Sequence, residues 1–211
     1  MTDPGASPES PPPPAVRPGP DEELLGLIDR LAELLYRSDL TELEVESGGT
    51  GLVLRKPSAL APISVPTLLV PGNNETEDEL RAAVADAGWS AAEILHGSGT
   101  SVDGLEFFGL GAGVPTTPWD WSFDLTEDEA AARLASCPEG AVLIVHSPPK
   151  GHCDTSSGGE HLGSEAILAT IEGKEPLLAV CGHIHEAWGD RSEVGATTVA
   201  NLGPRGAEFE V

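Results

Sequence analysis

Polar side chains with metal-binding groups follow three apolar runs of the sequence. Asn73 and Asn74 come after the first run, His146 after the second, and His183 and His185 after the third. In open α/β sheets the carboxyl ends of the strands form the ligand sites, so these side chains are expected to converge at one sheet edge. Neutral imidazoles together with an amide oxygen suit divalent Mn, Fe, Co, Ni or Zn. The spacing therefore predicts a site for a divalent metal.

The elements that would position these groups follow a layered α/β pattern. Two Thr-x-x-Glu capping boxes, at Thr76 and Thr126, predict the starts of helices, and Asp103-Gly104 predicts the turn of a hairpin. A third helix is expected at 164–171. Apolar runs predict strands, and these lie at 67–70, 93–96, 105–110, 141–145, 177–180, 197–199 and 207–211. Strands that alternate with helices predict a layered α/β fold.

The beginning of the chain is organised differently. Leucine and isoleucine recur at helical spacing from Leu24 to Leu35, and apolar-polar alternation around Val45 and Val53 predicts two short strands. Prolines dominate the segments before and after this α-β-β unit, which favours extended chain there. The predicted divisions are a disordered tail at 1–20, the α-β-β unit at 21–56, a linker at 57–66 and the main domain at 67–211.

The composition excludes several classes of function. The chain of 211 residues has 11 Lys and Arg against 35 Asp and Glu, a formal net charge of −24. This argues against binding to a nucleic-acid backbone, because phosphate neutralisation needs clustered cations. Apolar runs fall short of the roughly 20 residues of a membrane helix, and no segment of signal-peptide type begins the chain. With only 3 scattered cysteines, a cytoplasmic protein without membrane contact is expected.

A fourth segment, Asn201 to Pro204, also follows an apolar run. The four segments, in this order, resemble the motifs of the calcineurin-like metallophosphoesterases over residues 65–211. The resemblance implies a metal-dependent hydrolase of a small-molecule phosphoester, with Mn, Fe or Zn as the ion. It implies that Asn73, His146 and His183 ligate one metal and that His185 ligates a second. Asn74 stands where the family usually has the catalytic His that assists the leaving group. An amide can donate a hydrogen bond there but supplies no proton.

Two motifs of that family are missing from this sequence. The family begins with a strand that ends in Asp-x-His and another that ends in Gly-Asp, which together supply ligands and a bridging carboxylate. No Asp here precedes a His by two residues, and the single Gly-Asp, at Gly189-Asp190, follows the Gly-His-x-His segment. Two close divalent ions then lack charge compensation. We expect an incomplete sandwich with one weakly held metal and impaired turnover, unless Glu44 or Glu46 completes a two-metal site.

Two loops carry further candidate residues. The resemblance implies that the stretch following the second apolar run is a substrate loop, with His152, Asp154 and His161 as its polar residues. An earlier loop is both aromatic and acidic. Its aromatic side chains are expected to be buried, with stacking on a base as the alternative, and they are Trp119, Trp121 and Phe123.

The N-terminal unit resembles a second family. Residues 21–56 are similar to the N-terminal segment of the biotin carboxyl carrier protein of acetyl-CoA carboxylase, through Glu23 to Ile28, Leu40 to Glu46 and Leu52 to Lys56. This implies biotin carboxylase as a partner and gives an alternative function, a non-catalytic docking module. The chain has 1 methionine, so a Met-Lys-Met biotinylation site is absent and no biotin is expected. A unit that only covers a sheet edge, a joined pair of gene fragments, and a homodimer through uncovered apolar surface stay open as further readings.

Overall fold

The computed structural model forms two compact units, residues 1–60 and residues 61–211. It describes residues 28, 30, 31, 34, 35, 37, 42–47, 50–55 and 63–211. The predicted tail at 1–20 and most of the predicted linker at 57–66 lie outside the described residues.

The first unit contains helical residues and a hairpin. Positions 28, 30, 31, 34, 35 and 37 are helical, as the leucine spacing predicts. Leu35 is buried, but 56% of Leu34 is exposed, so the apolar face of this helix is narrower than predicted. Strand β1 (Glu42–Ser47) pairs antiparallel with β2 (Thr50–Arg55), with Ser47 opposite Thr50.

The second unit contains two sheets among its described residues. Strands β3 (Thr67–Leu69) and β4 (Ala92–Ile94) form a parallel pair. The larger sheet has six strands in the order β5-β6-β7-β8-β10-β9. Its central strands β6, β7, β8 and β10 are parallel, and both edge strands run antiparallel to their neighbours. The bounds are β5 Ser98–Val102, β6 Leu105–Leu110, β7 Val142–Val145, β8 Leu178–Cys181, β9 Arg191–Val194 and β10 Thr197–Asn201.

Three helices accompany these sheets. They are α1 (Glu77–Asp86), α2 (Glu127–Leu134) and α3 (Glu165–Lys174). Both predicted capping boxes are confirmed: Thr76 caps α1 and Thr126 caps α2. In each box the carboxylate of the glutamate three residues on accepts from the backbone N–H of the threonine. Helices α2 and α3 pack together over the large sheet, where Leu134 and Ile167 are fully buried. Within the described ranges none of the helices has the length and apolarity that crossing a bilayer requires.

The C-terminal strands differ from the prediction. The strand expected at 207–211 is wrong, because those residues adopt no regular structure; Phe209 instead packs 4.9 Å beneath the Arg191 guanidinium. On its outer side β10 pairs with the edge strand β9, which the apolar pattern misses because three of the four residues of β9 are polar. An edge strand with charged residues is a common protection against unwanted pairing, and it carries little apolar signal.

Glu127 joins two helices and gives a first prediction. Its carboxylate accepts bonds from Ser164 Oγ at 2.7 Å, Glu165 N at 3.0 Å and Ala166 N at 2.9 Å, so a residue of α2 caps the start of α3. Glu127→Ala is expected to lower the free energy of unfolding by about 1–2 kcal/mol, measured by urea denaturation. Asp128→Ala is the matched control, because it removes the same charge from the same helical turn. Equal losses in the two variants would show that the helix dipole matters and the cap does not.

Candidate metal centre

The ends of three neighbouring strands meet at one edge of the large sheet. His146 follows β7, and its backbone N–H donates to Leu110 O at the end of β6 over 3.0 Å. Gly182, which follows β8, donates to His146 O over 3.0 Å. The sheet hydrogen bonds therefore continue past the strands and fix His146 beside the loop that carries His183.

Three donor atoms converge at this edge. His146 Nε2 lies 3.2 Å from Asn73 Oδ1 and 3.0 Å from His183 Nδ1. The two imidazole rings meet edge to face, with centroids 4.8 Å apart. Asn73 is buried and the histidines are partly buried. The structure thus brings together the three side chains that the sequence analysis assigns to one metal.

Hydrogen bonds from the Asn201 side chain hold the loop that carries His183. The side-chain amide of Asn201 donates to Gly182 O and Ile184 O at 3.1 Å each, and to Cys153 O at 3.2 Å. His183 itself has a φ of +65°, in the left-handed region that non-glycine residues seldom adopt. Such a conformation persists only where the surroundings hold it. The hydrogen bonds from Asn201 to the carbonyl groups of Gly182 and Ile184 hold this conformation. They also direct the His183 ring toward His146.

Asn73 is oriented by a chain of hydrogen bonds. Its Nδ2 donates to Ser122 Oγ at 3.1 Å, and Ser122 Oγ donates to Asp124 Oδ1 at 2.7 Å. The backbone carbonyl oxygen of Asn73 also accepts from Phe123 N at 2.8 Å. Because the amide nitrogen is engaged by Ser122, Oδ1 is the atom that faces His146. Ser122 and Asp124 are therefore positioning residues.

Burial keeps both histidines in the neutral form. Desolvation lowers the pKa of His146 to about 4, assisted by His183 and His185 and opposed by Asp124. Desolvation also lowers the pKa of His183, against the pull of the Asp124 carboxylate. Burial by itself would raise the pKa of Asp124, but its bonds from Thr117 and Ser122 lower it. At neutral pH the imidazoles thus offer lone pairs beside a carboxylate that is charged.

The donor spacing fits one divalent ion. Atoms about 2.1 Å from an ion lie about 3.0 Å apart at right angles and about 3.4 Å apart at tetrahedral angles. The distances of 3.0 Å and 3.2 Å fall between these limits. In the described part of the chain no three His, Cys, Asp or Glu side chains form a metal-binding group. Here the third donor is the amide oxygen of Asn73. All three donor groups are then uncharged, which fits a site that binds a divalent ion weakly.

The remaining predicted residues of this site line an adjoining cavity. Asn73, Asn74, His183 and His185 all contribute to the wall of a cavity of about 490 Å³. Asn74 and His185 are exposed, and the His185 ring packs against Trp188 with centroids 4.4 Å apart. The predicted role of His185 as ligand of a second metal stays a prediction, as does the catalytic role of Asn74.

The predicted substrate loop is built around Asp154. Its side chain is fully buried and accepts bonds from Gly151 N at 2.9 Å, Gly163 N at 2.8 Å and His161 Nδ1 at 2.7 Å. His152 Nδ1 lies 3.1 Å from Ser192 Oγ on β9. Asp154 therefore organises the loop and has no surface left for a substrate. His161 is the exposed member of the set.

The expectation that the aromatic side chains of the loop at 117–124, here called the aromatic loop, are buried is wrong for both of its tryptophans. Trp119 and Trp121 are 53% and 62% exposed, and they stack on one another, while Phe123 is partly buried against the core. The loop folds back because the Asp124 carboxylate accepts from the backbone and side chain of Thr117 at 2.7 Å and 2.6 Å. This closure leaves the two indoles on the outer side of the turn.

Ser122 gives a second prediction. Ser122→Ala leaves Asn73 Nδ2 without its acceptor, so the amide is free to rotate. We expect Mn²⁺ affinity, measured by calorimetry, to fall roughly 10-fold, as is typical when a residue that orients a ligand is lost. Ser101→Ala, on the exposed hairpin strand β5, is the control and should bind as the unmodified chain does. An unchanged affinity in Ser122→Ala would show that Asn73 is held without this bond.

Comparisons with known proteins agree with this geometry. Residues 55–206 match the family described as metallophosphoesterase, calcineurin superfamily. Metallophosphoesterase domain-containing protein 1 of Homo sapiens is 34% identical over 113 residues, covering 51% of this chain and 33% of that protein. A UPF0046 protein of Caenorhabditis elegans is 32% identical over 111 residues, covering 48% of this chain and 28% of that protein. The chain thus spans about a third of these curated relatives.

A solved crystal structure supports the fold. It superposes with a TM-score of 0.56 at 24% identity, over 66% of this chain and 58% of the other. The family match begins at residue 55 and lends no support to a carrier-protein segment at 21–56. It does include the segments of Asn73, His146 and His183, and it covers most of the chain. This chain therefore belongs to the calcineurin superfamily of metallophosphoesterases.

Proposed function

We propose that this chain is a divalent-metal-dependent phosphoester hydrolase whose turnover is impaired. The observation that carries the proposal is the convergence of Asn73 Oδ1 and His183 Nδ1 on His146 Nε2, which lies 3.2 Å from the first atom and 3.0 Å from the second. Mn, Fe or Zn are the ions that such a donor set suits. A bound ion would supply Lewis-acid polarisation of a phosphoryl oxygen and activation of water.

The protein's own groups have separate parts in this reaction. His146 and His183 hold the ion as neutral donors, and Ser122 keeps the oxygen of Asn73 directed at it. In the hydrolysis, a water oxygen bonds to phosphorus, one ester P–O bond breaks, and a proton passes to the departing alcohol. Asn74 lines the cavity. Its side-chain amide can donate a hydrogen bond to the oxygen of the departing alcohol but cannot protonate that oxygen. Esters of acidic alcohols, which leave without protonation, should therefore react fastest.

The charge of the site favours diesters over monoesters. Glu186 contributes a negative charge to the cavity wall, and the chain carries a formal net charge of −24. A monoester dianion is repelled by this field more strongly than a diester monoanion. A phosphodiester is thus the substrate class that we propose.

The test measures hydrolysis of bis(p-nitrophenyl) phosphate with Mn²⁺, beside the monoester p-nitrophenyl phosphate. We expect slow, chelator-sensitive turnover of the diester that disappears in His183→Ala, purified in parallel to exclude contaminants. Asn74→His should raise kcat by at least roughly 10-fold for a dialkyl phosphate, whose alcohol needs a proton to leave, because a general acid typically contributes more than that. It should change kcat for the p-nitrophenyl diester little, because p-nitrophenolate leaves without protonation. Diester hydrolysis that is equal in His183→Ala and the unmodified chain would overturn the proposal.

A further inference from the structure

Two exposed indoles stand beside the metal-binding edge in the same cavity. Trp119 and Trp121 stack with centroids 5.7 Å apart and an interplanar angle of 15°. More than half of each side chain stays exposed, at 53% and 62%, although the pair has already formed. Both line the cavity of about 490 Å³ whose wall also contains Asn73, His183 and His185. A ligand held by those polar groups is therefore within reach of the indoles.

The loop that carries the indoles is closed by hydrogen bonds. Asp124 accepts from Thr117 N and Thr117 Oγ1 on one side and from Ser122 Oγ on the other, and Ser122 N donates to Trp119 O at 3.1 Å. The loop is also anchored at its base, where Gly113 N donates to Phe123 O at 2.9 Å and Leu125 N to Gly113 O at 2.8 Å. An indole pair on a closed loop loses little entropy when a ligand binds, which favours affinity.

One carboxylate serves both parts of the cavity. Asp124 closes the aromatic loop and, through Ser122, orients Asn73. The spacing between the indoles and the metal-binding donors is thereby fixed. Pro115, Pro118 and Leu162 add apolar surface to the wall, and Asn73, Asn74 and His185 add polar groups. Such a cavity matches a ligand with a charged end and a flat apolar end.

We propose that Trp119 and Trp121 bind a flat aromatic ring carried by the phosphoester, so that this pair determines substrate specificity. The inference rests on the proposed function for the reacting end of the substrate. The parallel, exposed faces of the indoles offer a surface on which a ring stacks, and this contact adds to simple burial of apolar area. The ring is either a simple aryl group or a nucleobase, since both present the same flat π face.

The test compares binding of two phosphodiesters that differ in the ring alone. Phenyl methyl phosphate and cyclohexyl methyl phosphate have the same charge and nearly the same size, but cyclohexane is neither flat nor aromatic. Each is titrated in Zn²⁺, a diamagnetic ion that the imidazole donors suit, while the indole N–H signals of the protein are followed by NMR, assigned by single Trp→Phe variants. Binding is measured because aryl esters hydrolyse faster than alkyl esters for purely chemical reasons.

We expect the phenyl ester to bind roughly 5- to 100-fold more tightly than the cyclohexyl ester, as stacking of one ring predicts. It should shift the signals of Trp119 and Trp121. In the double variant Trp119→Leu, Trp121→Leu the preference should vanish, with the affinity for the cyclohexyl ester unchanged. Trp121→Phe should retain most of the preference. Trp89→Phe is the control, because Trp89 lies outside this cavity, and it should retain all of it.

The outcomes separate this inference from the proposed function. Equal binding of the two esters, or a preference that survives in the double leucine variant, overturns the aromatic subsite. Preferential binding of the phenyl ester without any hydrolysis supports the subsite while the hydrolase proposal fails. A nucleoside methyl phosphodiester identifies the source of the ring: tighter binding than the phenyl ester assigns a nucleobase, and weaker binding assigns a simple aryl group.

Discussion

Replacing His146 by alanine is expected to reduce the affinity for Mn²⁺ by roughly 100-fold or more, the largest effect that we predict on this site. His146 Nε2 is the central donor, 3.2 Å from Asn73 Oδ1 and 3.0 Å from His183 Nδ1. Without it the two remaining donors have no shared neighbour. Loss of a direct ligand should exceed the 10- to 100-fold effect of losing a residue that only orients one. Calorimetric titration of the chelator-treated protein measures the change.

The control for this variant is His152→Ala. His152 is also partly buried and also bonded to a neighbouring side chain, but that neighbour is Ser192 on β9. Replacing His152 by alanine should leave the Mn²⁺ affinity within about twofold of that of the unmodified chain. The substitution removes one hydrogen bond to Ser192, and one such bond contributes only modestly to the stability of the fold. Similar affinities for His146→Ala and His152→Ala would refute the assignment of the metal site. Two bound ions per unmodified chain would refute the expectation of a single weak site.

Asp154→Ala is expected to lower the free energy of unfolding at pH 7 by about 2–4 kcal/mol, the largest stability effect that we predict. The substitution leaves the backbone N–H groups of Gly151 and Gly163 without their acceptor, and Gly163 is buried. Each unsatisfied buried group costs about 1–3 kcal/mol. Asp154→Asn should lose less, because one amide oxygen can still accept both backbone bonds. Urea denaturation at constant temperature measures both variants.

The Asp154 carboxylate should also make the free energy of unfolding depend on pH. Burial alone would raise the pKa of Asp154, but bonds from His161, Gly151 and Gly163 outweigh it and lower the pKa below its usual 3.8. A lowered folded pKa contributes stability that is fully present above pH 3.8 and is lost as the pH falls through the folded pKa. The difference between the unmodified chain and Asp154→Asn should therefore shrink in acid. Asp86→Ala, at an exposed position of α1, is the control for the loss of one negative charge.

The elements of the second unit follow from local chemistry. Capping boxes at Thr76 and Thr126 begin α1 and α2 as predicted, since the reciprocal bonds involve residues only three apart. The hairpin through Asp103-Gly104 forms for the same reason, with Asp103 at a φ of +52°. The α/β fold class is confirmed by the sheets and by the family match. Strand β9 is not predicted from the sequence, because its stability comes from pairing with β10 and not from its own residues.

The sequence by itself determined which side chains follow the strand ends. Asn73, His146 and His183 were predicted to meet, because parallel strands deliver their carboxyl ends to one edge. Only the tertiary structure decided how they are held. Ser122 contacts Asn73 across 49 residues, and Asn201 reaches Cys153 across 48. Serine is common in loops, so no local pattern distinguishes Ser122. Asn201 follows an apolar run in the sequence, but that place does not indicate which carbonyl groups its side chain contacts.

The aromatic loop shows the same division most clearly. The types Trp119 and Trp121 were visible in the sequence, and burial was expected from their large apolar area. Closure of the loop by Asp124, which accepts from Thr117 seven residues earlier, turned both indoles outward instead. Apolar content determines that a residue gains by leaving water. The hydrogen bonds that close the loop decide whether the core or a ligand cavity receives it.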